Sequence, residues 1–574
     1  MVWDTSRPLS LSLIVLRLTL SAVPVAQLWL GKLIVDSVVS QHGLRIWWYV
    51  GLEVALVVLG DMLSRIAELC SSLLGDRLAH NIAVRLMQHA ATLDLVAFED
   101  PVFYDKLERA RRQGAGRLSL LATVTEMAAM VLTLISLSAV VVAFSPWFLV
   151  AIAGALVPAF LGEAKFAMLA YSLLYRWTAA RRQMDYLVML GSSISSAKEV
   201  KIFGLADHLL ERFRELFGRF YQENRKLALR RAGVGYALNL LPTAGYYAGY
   251  VLILTKALAG KLTIGDLTFL AGAFRQSRTL IDRLFSSLNQ IADNALAVKD
   301  LFDFFETKPT IASKPDALPA PRPIRSGFEF RNVSFAYPGS DKAVLKNLSF
   351  RFDAQERIAL IGENGAGKTT LVKLLSRLYD PTEGAILLDG IDLRDYDVLD
   401  LRKEIGVIFQ DYMRYDMSAS DNIGFGRIDE LQNEAKIVKA AEKSLADQVI
   451  AGLPRRYAQM LGHRFEGGVD LSAGQWQKIA LGRAYMRDAQ VLILDEPTAS
   501  LDARAEYEVF LRFADLTRDR MAVLISHRFS TVRMADRILV LEQGRILEHG
   551  THQQLVALGG RYAELFELQA AGYR

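Results

Sequence analysis

The chain has 574 residues, 52% of them hydrophobic and 22% charged, with a net charge of +5 and a single cysteine, Cys70. That length exceeds one compact core; the hydrophobic content excludes a disordered chain, and the charged content excludes one that lies in the membrane from end to end. One cysteine excludes an intrachain disulfide framework and a cysteine-rich metal site, and the mild basicity calls for no nucleic-acid partner.

Six apolar runs come first, near residues 10–35, 46–70, 119–144, 146–170, 235–258 and 264–288. Each reaches the roughly 20 residues that a helix needs to cross a bilayer. The first outruns a signal-peptide core, and the small residues from Ala22 to Ala26 make a poor cleavage site, so it reads as a span. Basic residues gather in two long connections. Arg77, Arg85, Lys106, Arg109, Arg111, Arg112 and Arg117 lie between spans two and three; Arg176, Arg181, Arg182, Lys198, Lys201, Arg212 and Arg214 lie between four and five. The positive-inside rule then puts both termini and both long connections in the cytosol. Residues 76–93 and 207–229 mix charged and apolar residues at helical spacing, which predicts helices extending out of the membrane. Each connection has a short interruption, at 98–104 and 192–204, which a pair of surface turns would also explain. Arg17, Asp61, Arg65, Glu126, Glu163, Lys165 and Arg275 fall within or near membrane depth. Such groups line a cavity or pair along a helix, as the four-residue spacing of Asp61 and Arg65 allows.

Pro309, Pro315, Pro319, Pro321 and Pro323 then mark a stiff, extended linker. The expected division is a six-helix membrane domain at 1–305, a linker at 306–326 and an α/β domain at 327–574. In the last, β-rich runs at 328–335, 357–361, 491–495, 522–526 and 537–541 alternate with helical stretches and predict a largely parallel sheet.

Chemistry concentrates in this last part. Residues 362–369, Gly-Glu-Asn-Gly-Ala-Gly-Lys-Thr, fit the phosphate-loop pattern between a β run and a helical run. Glycines at Gly362, Gly365 and Gly367 let backbone N–H groups wrap phosphates around Asn364, Lys368 supplies charge, and Thr369 offers a hydroxyl to Mg²⁺, with Thr370 opening the helix. The apolar run 491–494 ends in Asp495 and Glu496. A carboxylate at such a strand end supports Mg²⁺, and its neighbour can polarise an attacking water.

Leu471-Ser472-Ala473-Gly474-Gln475 separates one family from other phosphate-loop proteins. Here the chain resembles the ATP-binding cassette transporters along nearly its whole length, with Ala473 where that family usually has glycine. The resemblance implies further assignments. Tyr337 would stack on adenine; Gln410 would reach Mg²⁺ and sense the membrane domain; Asp502, in Ser500-Leu501-Asp502, would sit in the D-loop. His527 would contact the γ-phosphate, and Glu496 would be the catalytic base. Each ATP in this family lies between the phosphate loop of one cassette and the Ser472, Gly474 and Gln475 segment of another. The resemblance therefore implies a dimer, of two copies or with a related half. Six spans followed by one cassette look like an exporter-type half-transporter, and 98–107 and 196–204 resemble its coupling helices. The expected activity is ATP-driven export or flipping of a peptide, lipid or amphipathic small molecule across the cytoplasmic membrane. The alternative is an ATP-gated channel or membrane sensor. With the first span so near the start of the sequence, a peptidase domain ahead of it is not expected.

Overall fold

A computed structural model describes residues 2–40, 43–100, 103, 106–107, 119–144, 161–162, 165–166, 168–169, 172–173, 176–260, 262–495, 511–526 and 532–571. The chain divides into two compact units. The first comprises Met1–Ala91 and Val102–Thr307; the second comprises Thr92–Pro101 and Lys308–Arg574.

Among the described residues up to 306, beyond a single turn at Val2–Thr5, the helices are α1 (Arg7–Val39), α2 (Gly43–Thr92), α3 (Leu95–Glu99), α4 (Ser119–Phe144), α5 (Thr178–Ser192), α6 (Ile194–Ile202), α7 (Ala206–Leu258) and α8 (Ile264–Glu306). All but α3 belong to the first unit. Among the described residues, Arg7–Val39, Leu44–Thr92 and Ala206–Leu258 are long and apolar enough to cross a membrane, and Thr123–Ala139 is a shorter apolar helix. The expected span at 146–170 lies mostly outside the described residues. The second interruption is a real break: α5 stops at Ser192, α6 follows, and α7 starts at Ala206.

Helices α1, α4 and α8 pack on one another. Leu137, Ile253, Phe269, Leu270 and Ala273 form a buried cluster there, with Val25 and Leu28 against it. A polar joint sits beside it. Lys32 Nζ pairs with Asp266 Oδ1 at 2.6 Å, with side chains only 17% and 12% exposed. Asp266 and Thr263 also form the capping box that starts α8. Asp36 Oδ1 accepts the Gly265 N–H at 2.9 Å, and a Cβ on residue 265 would lie 2.4 Å from that oxygen. Breaking a buried pair leaves one charge uncompensated, so this joint holds α1 to the start of α8. Of the charges singled out by sequence, Asp61 and Arg65 form an exposed pair along α2 at 3.9 Å. Glu126 and Arg275 are exposed, Glu163 lies outside the described residues, and the Arg17 Nε is buried without a hydrogen-bond partner among the described residues.

The second unit is built on two sheets. Strands β1 (Phe328–Ala336), β2 (Ala343–Phe352), β4 (Glu383–Leu388) and β5 (Ile391–Asp392) form an antiparallel sheet in the order β2-β1-β4-β5. Strands β3 (Arg357–Ile361), β6 (Ile405–Ile408), β7 (Val491–Asp495), β8 (Met521–Ile525), β9 (Arg537–Glu542) and β10 (Arg545–Gly550) form the other, in the order β10-β9-β3-β8-β7-β6. It is parallel except for β10. Every residue of β7 and β8 is buried, as a parallel strand covered on both faces requires. Helix α9 (Lys368–Leu375) follows β3, while α10 (Ala419–Gly424), α11 (Glu434–Ser444), α12 (Ala446–Ala451) and α13 (Ala473–Arg487) pack around Ile423, Ile437, Ala441 and Trp476.

The proline-rich segment has little regular structure, as its composition predicts, yet it is tied to this unit. Ser313 Oγ donates to Asp397 at 2.8 Å, the Ala320 N–H to Asp400 at 2.9 Å and the Ile324 N–H to Gln490 at 2.9 Å. Arg322 pairs with Glu404 at 3.0 Å.

Candidate active site

The central strand β3 delivers the phosphate loop to the carboxyl edge of the parallel sheet, where open α/β sheets bind ligands. Gly367, just ahead of α9, has φ +105°, and a Cβ there would lie 2.5 Å from Leu345 Cδ2. At Gly362 a Cβ would lie 2.3 Å from the Leu541 carbonyl of β9. Side chains at either place would push the loop outward; glycine keeps it against the sheet and its amides open. Lys368 is buried, and its Nζ donates to the carbonyls of Gly362 at 2.7 Å and Glu363 at 3.0 Å. Asn364 and Gly365 are exposed at the loop tip.

Asp495, only 2% exposed, ends β7 beside β8. Its Oδ2 accepts the Thr369 hydroxyl at 3.1 Å, across 126 residues of sequence. A hydroxyl and a carboxylate side by side at the foot of a phosphate loop suit a hard cation with oxygen ligands. Gln410 is exposed just beyond β6, at the same edge of the sheet. Glu496, Asp502 and His527 lie outside the described residues.

Ser472, Gly474 and Gln475 stand at the start of α13 rather than on the phosphate loop. Ser472 caps that helix: its Oγ accepts the Gln475 N–H at 3.3 Å, and its own N–H donates to Gln475 Oε1 at 2.9 Å. Trp476, 1% exposed, donates its indole N–H to Asp470 at 3.2 Å and anchors the helix start in the core. Arg483, further along α13, donates to the Asn422 and Met413 carbonyls at 2.7 Å each, so it pins the segment after Gln410.

Tyr337 is half-buried at the end of β1, and its hydroxyl shares a hydrogen bond of 3.0 Å with Thr370 Oγ1 on α9. The residues beside it were not singled out by sequence. Lys373 lies 5.2 Å from the centre of the Tyr337 ring, and the Tyr379 ring meets it edge-on with centroids 5.4 Å apart. Both belong to a cluster completed by α3, whose Leu95 and Val96 pack on the core of this unit. Asp94, ahead of α3, accepts the Thr310 N–H, the Thr310 hydroxyl at 2.8 Å and the Ile311 N–H at 2.9 Å. Glu99, ending α3, accepts from Lys373 Nζ at 2.8 Å and from the Tyr379 hydroxyl. Burial opposes ionisation of Glu99, but those two bonds hold its carboxyl below the usual range. Burial likewise works against the Lys373 ammonium, which Glu99 and Tyr337 nevertheless hold above its usual range. The only sequence signal for this cluster was the aromatic-acidic run at 98–100. The described helix begins earlier, at Leu95, and residues 101–102 and 104–105 lie outside the described residues.

Residues 345–499 match the family described as ABC transporter. The chain is 30% identical to the subtilin transport ATP-binding protein SpaT of Bacillus subtilis, over 99% of this chain and 92% of that one. It is 28% identical to the nisin transport ATP-binding protein NisT of Lactococcus lactis, over 99% and 94%. Among solved structures it is similar to a bacterial Atm1-family ABC exporter with ATP bound, with a TM-score of 0.82, 27% identity and 98% of both chains covered.

Proposed function

The chain belongs to the ABC transporter family, as an ATP-hydrolysing exporter, and on that premise we propose that two copies of it close on two ATP molecules to export a peptide. The observation that carries the nucleotide chemistry is the Thr369–Asp495 pair at the foot of the phosphate loop. The two relatives aligned over 99% of the chain, named for subtilin and nisin transport, support the cargo.

In this reading residues 1–305 form the membrane domain, 306–326 the linker and 327–574 the cassette, with both termini and the cassette in the cytosol. Backbone N–H groups of the loop and the first turn of α9 take the phosphates, helped by the partial positive charge of the helix start. Lys368, already turned into the loop, sets a fixed charge beside them. Tyr337 takes the adenine face. Thr369 and Asp495, with Gln410, would hold Mg²⁺, which when bound neutralises charge on the β- and γ-phosphate oxygens. Glu496 accepts the proton of the attacking water and His527 contacts the γ-phosphate. One chain has one phosphate loop and one α13 start, so Ser472, Gly474 and Gln475 of a second copy complete each site, their helix dipole aimed at the phosphates. In this reading closure is passed to the spans through the segments 98–107 and 196–204, and hydrolysis resets alternating access.

Transport into inverted membrane vesicles tests this. With labelled nisin as probe, wild-type chain should accumulate it only with ATP and Mg²⁺. Glu496→Gln should bind ATP as tightly yet hydrolyse it at least about a hundredfold more slowly, as loss of a general base does, and accumulate nothing. ATP turnover without movement of nisin would remove the cargo assignment; near-normal turnover in Glu496→Gln would remove Glu496 from the base role.

A further inference from the structure

One ammonium in the second unit is shared by two aromatic rings and a carboxylate that arrives from far away in sequence. Lys373 Nζ donates to Glu99 Oε1 at 2.8 Å, across 274 residues, and lies 5.2 Å from the centre of the Tyr337 ring and 5.5 Å from that of Tyr379. Glu99 takes its second bond from the Tyr379 hydroxyl, and Tyr379 closes edge-on against Tyr337. On its other side the Tyr337 hydroxyl is bonded to Thr370. The Lys373 side chain is 19% exposed, so its position is set by these partners rather than by water. A lysine stem is long and flexible; the Glu99 bond, together with the Tyr337 hydroxyl, directs its ammonium to the rings. Residues 92–101, which carry Glu99, fold with the second unit although the chain on both sides of them belongs to the first.

We propose that Lys373 is a positioning residue for the adenine base and that Glu99 sets its position, so that stacking of the base on Tyr337 and seating of α3 favour each other. The proposal rests on the reading of Tyr337 as the adenine platform and adds a route from the base to the first break in the membrane-domain helices. Coupling between two binding events is reciprocal: whatever seats α3 tightens the base, and the base seats α3 by the same factor. The phosphates take no part in it, since Lys368 and the start of α9 hold them. A triphosphate without a base should therefore be blind to Glu99.

The experiment compares Mg²⁺-ATP with Mg²⁺-tripolyphosphate, binding each to the full chain in lipid nanodiscs. Glu99→Gln and Lys373→Met should each weaken ATP by about fivefold or more, leave tripolyphosphate unchanged, and in combination cost no more than the worse single change, because both remove one interaction. Lys373→Arg, which keeps a cation at the rings, should retain most of the ATP affinity. A merely electrostatic role for Glu99 gives the opposite sign, since removing a negative charge tightens both polyanions. Unchanged ATP affinity in Glu99→Gln, parallel weakening of ATP and tripolyphosphate, or additive losses would each overturn the coupling. Tyr337→Ala separates the two readings. If it leaves the preference for ATP over tripolyphosphate intact, the platform reading fails; if it abolishes that preference while Glu99→Gln does not, only the coupling fails.

Discussion

At the scale of the residue, Ala473 shows how a departure from a family pattern can be harmless or better. It is the first residue of α13, in right-handed helical backbone, and it is absent from the positive-φ positions of the chain. Glycine's freedom is not needed there, and alanine is the better helix former by up to about 1 kcal/mol. Ala473→Gly should therefore lower the denaturation midpoint of the chain slightly, by at most about 1 kcal/mol of stability; a rise would mean that the methyl is strained. Lys368, Thr369 and Asp495 were legible in the sequence because their chemistry comes with fixed spacing and a strand on one side. Lys373 and Tyr379 were not, and Glu99 only as part of the aromatic-acidic run at 98–100. None belongs to a motif of fixed spacing, Tyr379 lying in the core at 3% exposure, and their joint meaning arises only when positions 274 and 280 residues apart meet. The Lys32–Asp266 joint was missed for the same reason, although a lysine and an aspartate near opposite ends of two apolar runs were in plain view.

Among the elements, the buried parallel strands were the easiest to read, since β3 and β7 are short apolar runs bounded by turns. The antiparallel sheet was largely hidden: only β1 was anticipated, and β2, whose buried and charged residues interleave, was not. A two-sided strand announces itself by composition; a one-sided strand is recognised only with its partner beside it. Helix α3 is the element whose seating depends on charge. Glu99 is held below its ordinary carboxylate value of 4.5, so it contributes stability that is present above that value and is lost as the pH falls through the depressed one. Lys373, held above its ordinary 10.5, contributes stability present below that value and lost as the pH rises through the raised one. Amide exchange in residues 95–99, corrected for its intrinsic pH dependence, should accordingly stay protected between pH 4.5 and 10.5 and lose protection as the pH falls below 4.5 through the depressed Glu99 value. Protection that persists unchanged at pH 3 would show that the apolar contacts of Leu95 and Val96 alone seat the helix.

For the whole molecule, composition led to the expectation of one greasy and one ordinary globular part; the chain divides into two units, and the short segment 92–101 joins the second. It could not be read from composition, because ten residues of mixed polarity carry no signal of which unit they join. The central claim is that ATP is cleaved only where the phosphate loop of one copy meets the start of α13 of another. Complementation tests it most directly. Lys368→Ala disables the loop, and Gly474→Glu sets a carboxylate at the helix start that should face the phosphates. Either variant alone forms dimers in which both composite sites are defective. Co-expressed and purified through different tags on each copy, the mixed dimer carries both defects in one site and leaves the other intact. It should regain ATP hydrolysis that neither variant shows by itself. A mixed dimer as inactive as its parents would contradict the composite site and return hydrolysis to residues within one chain.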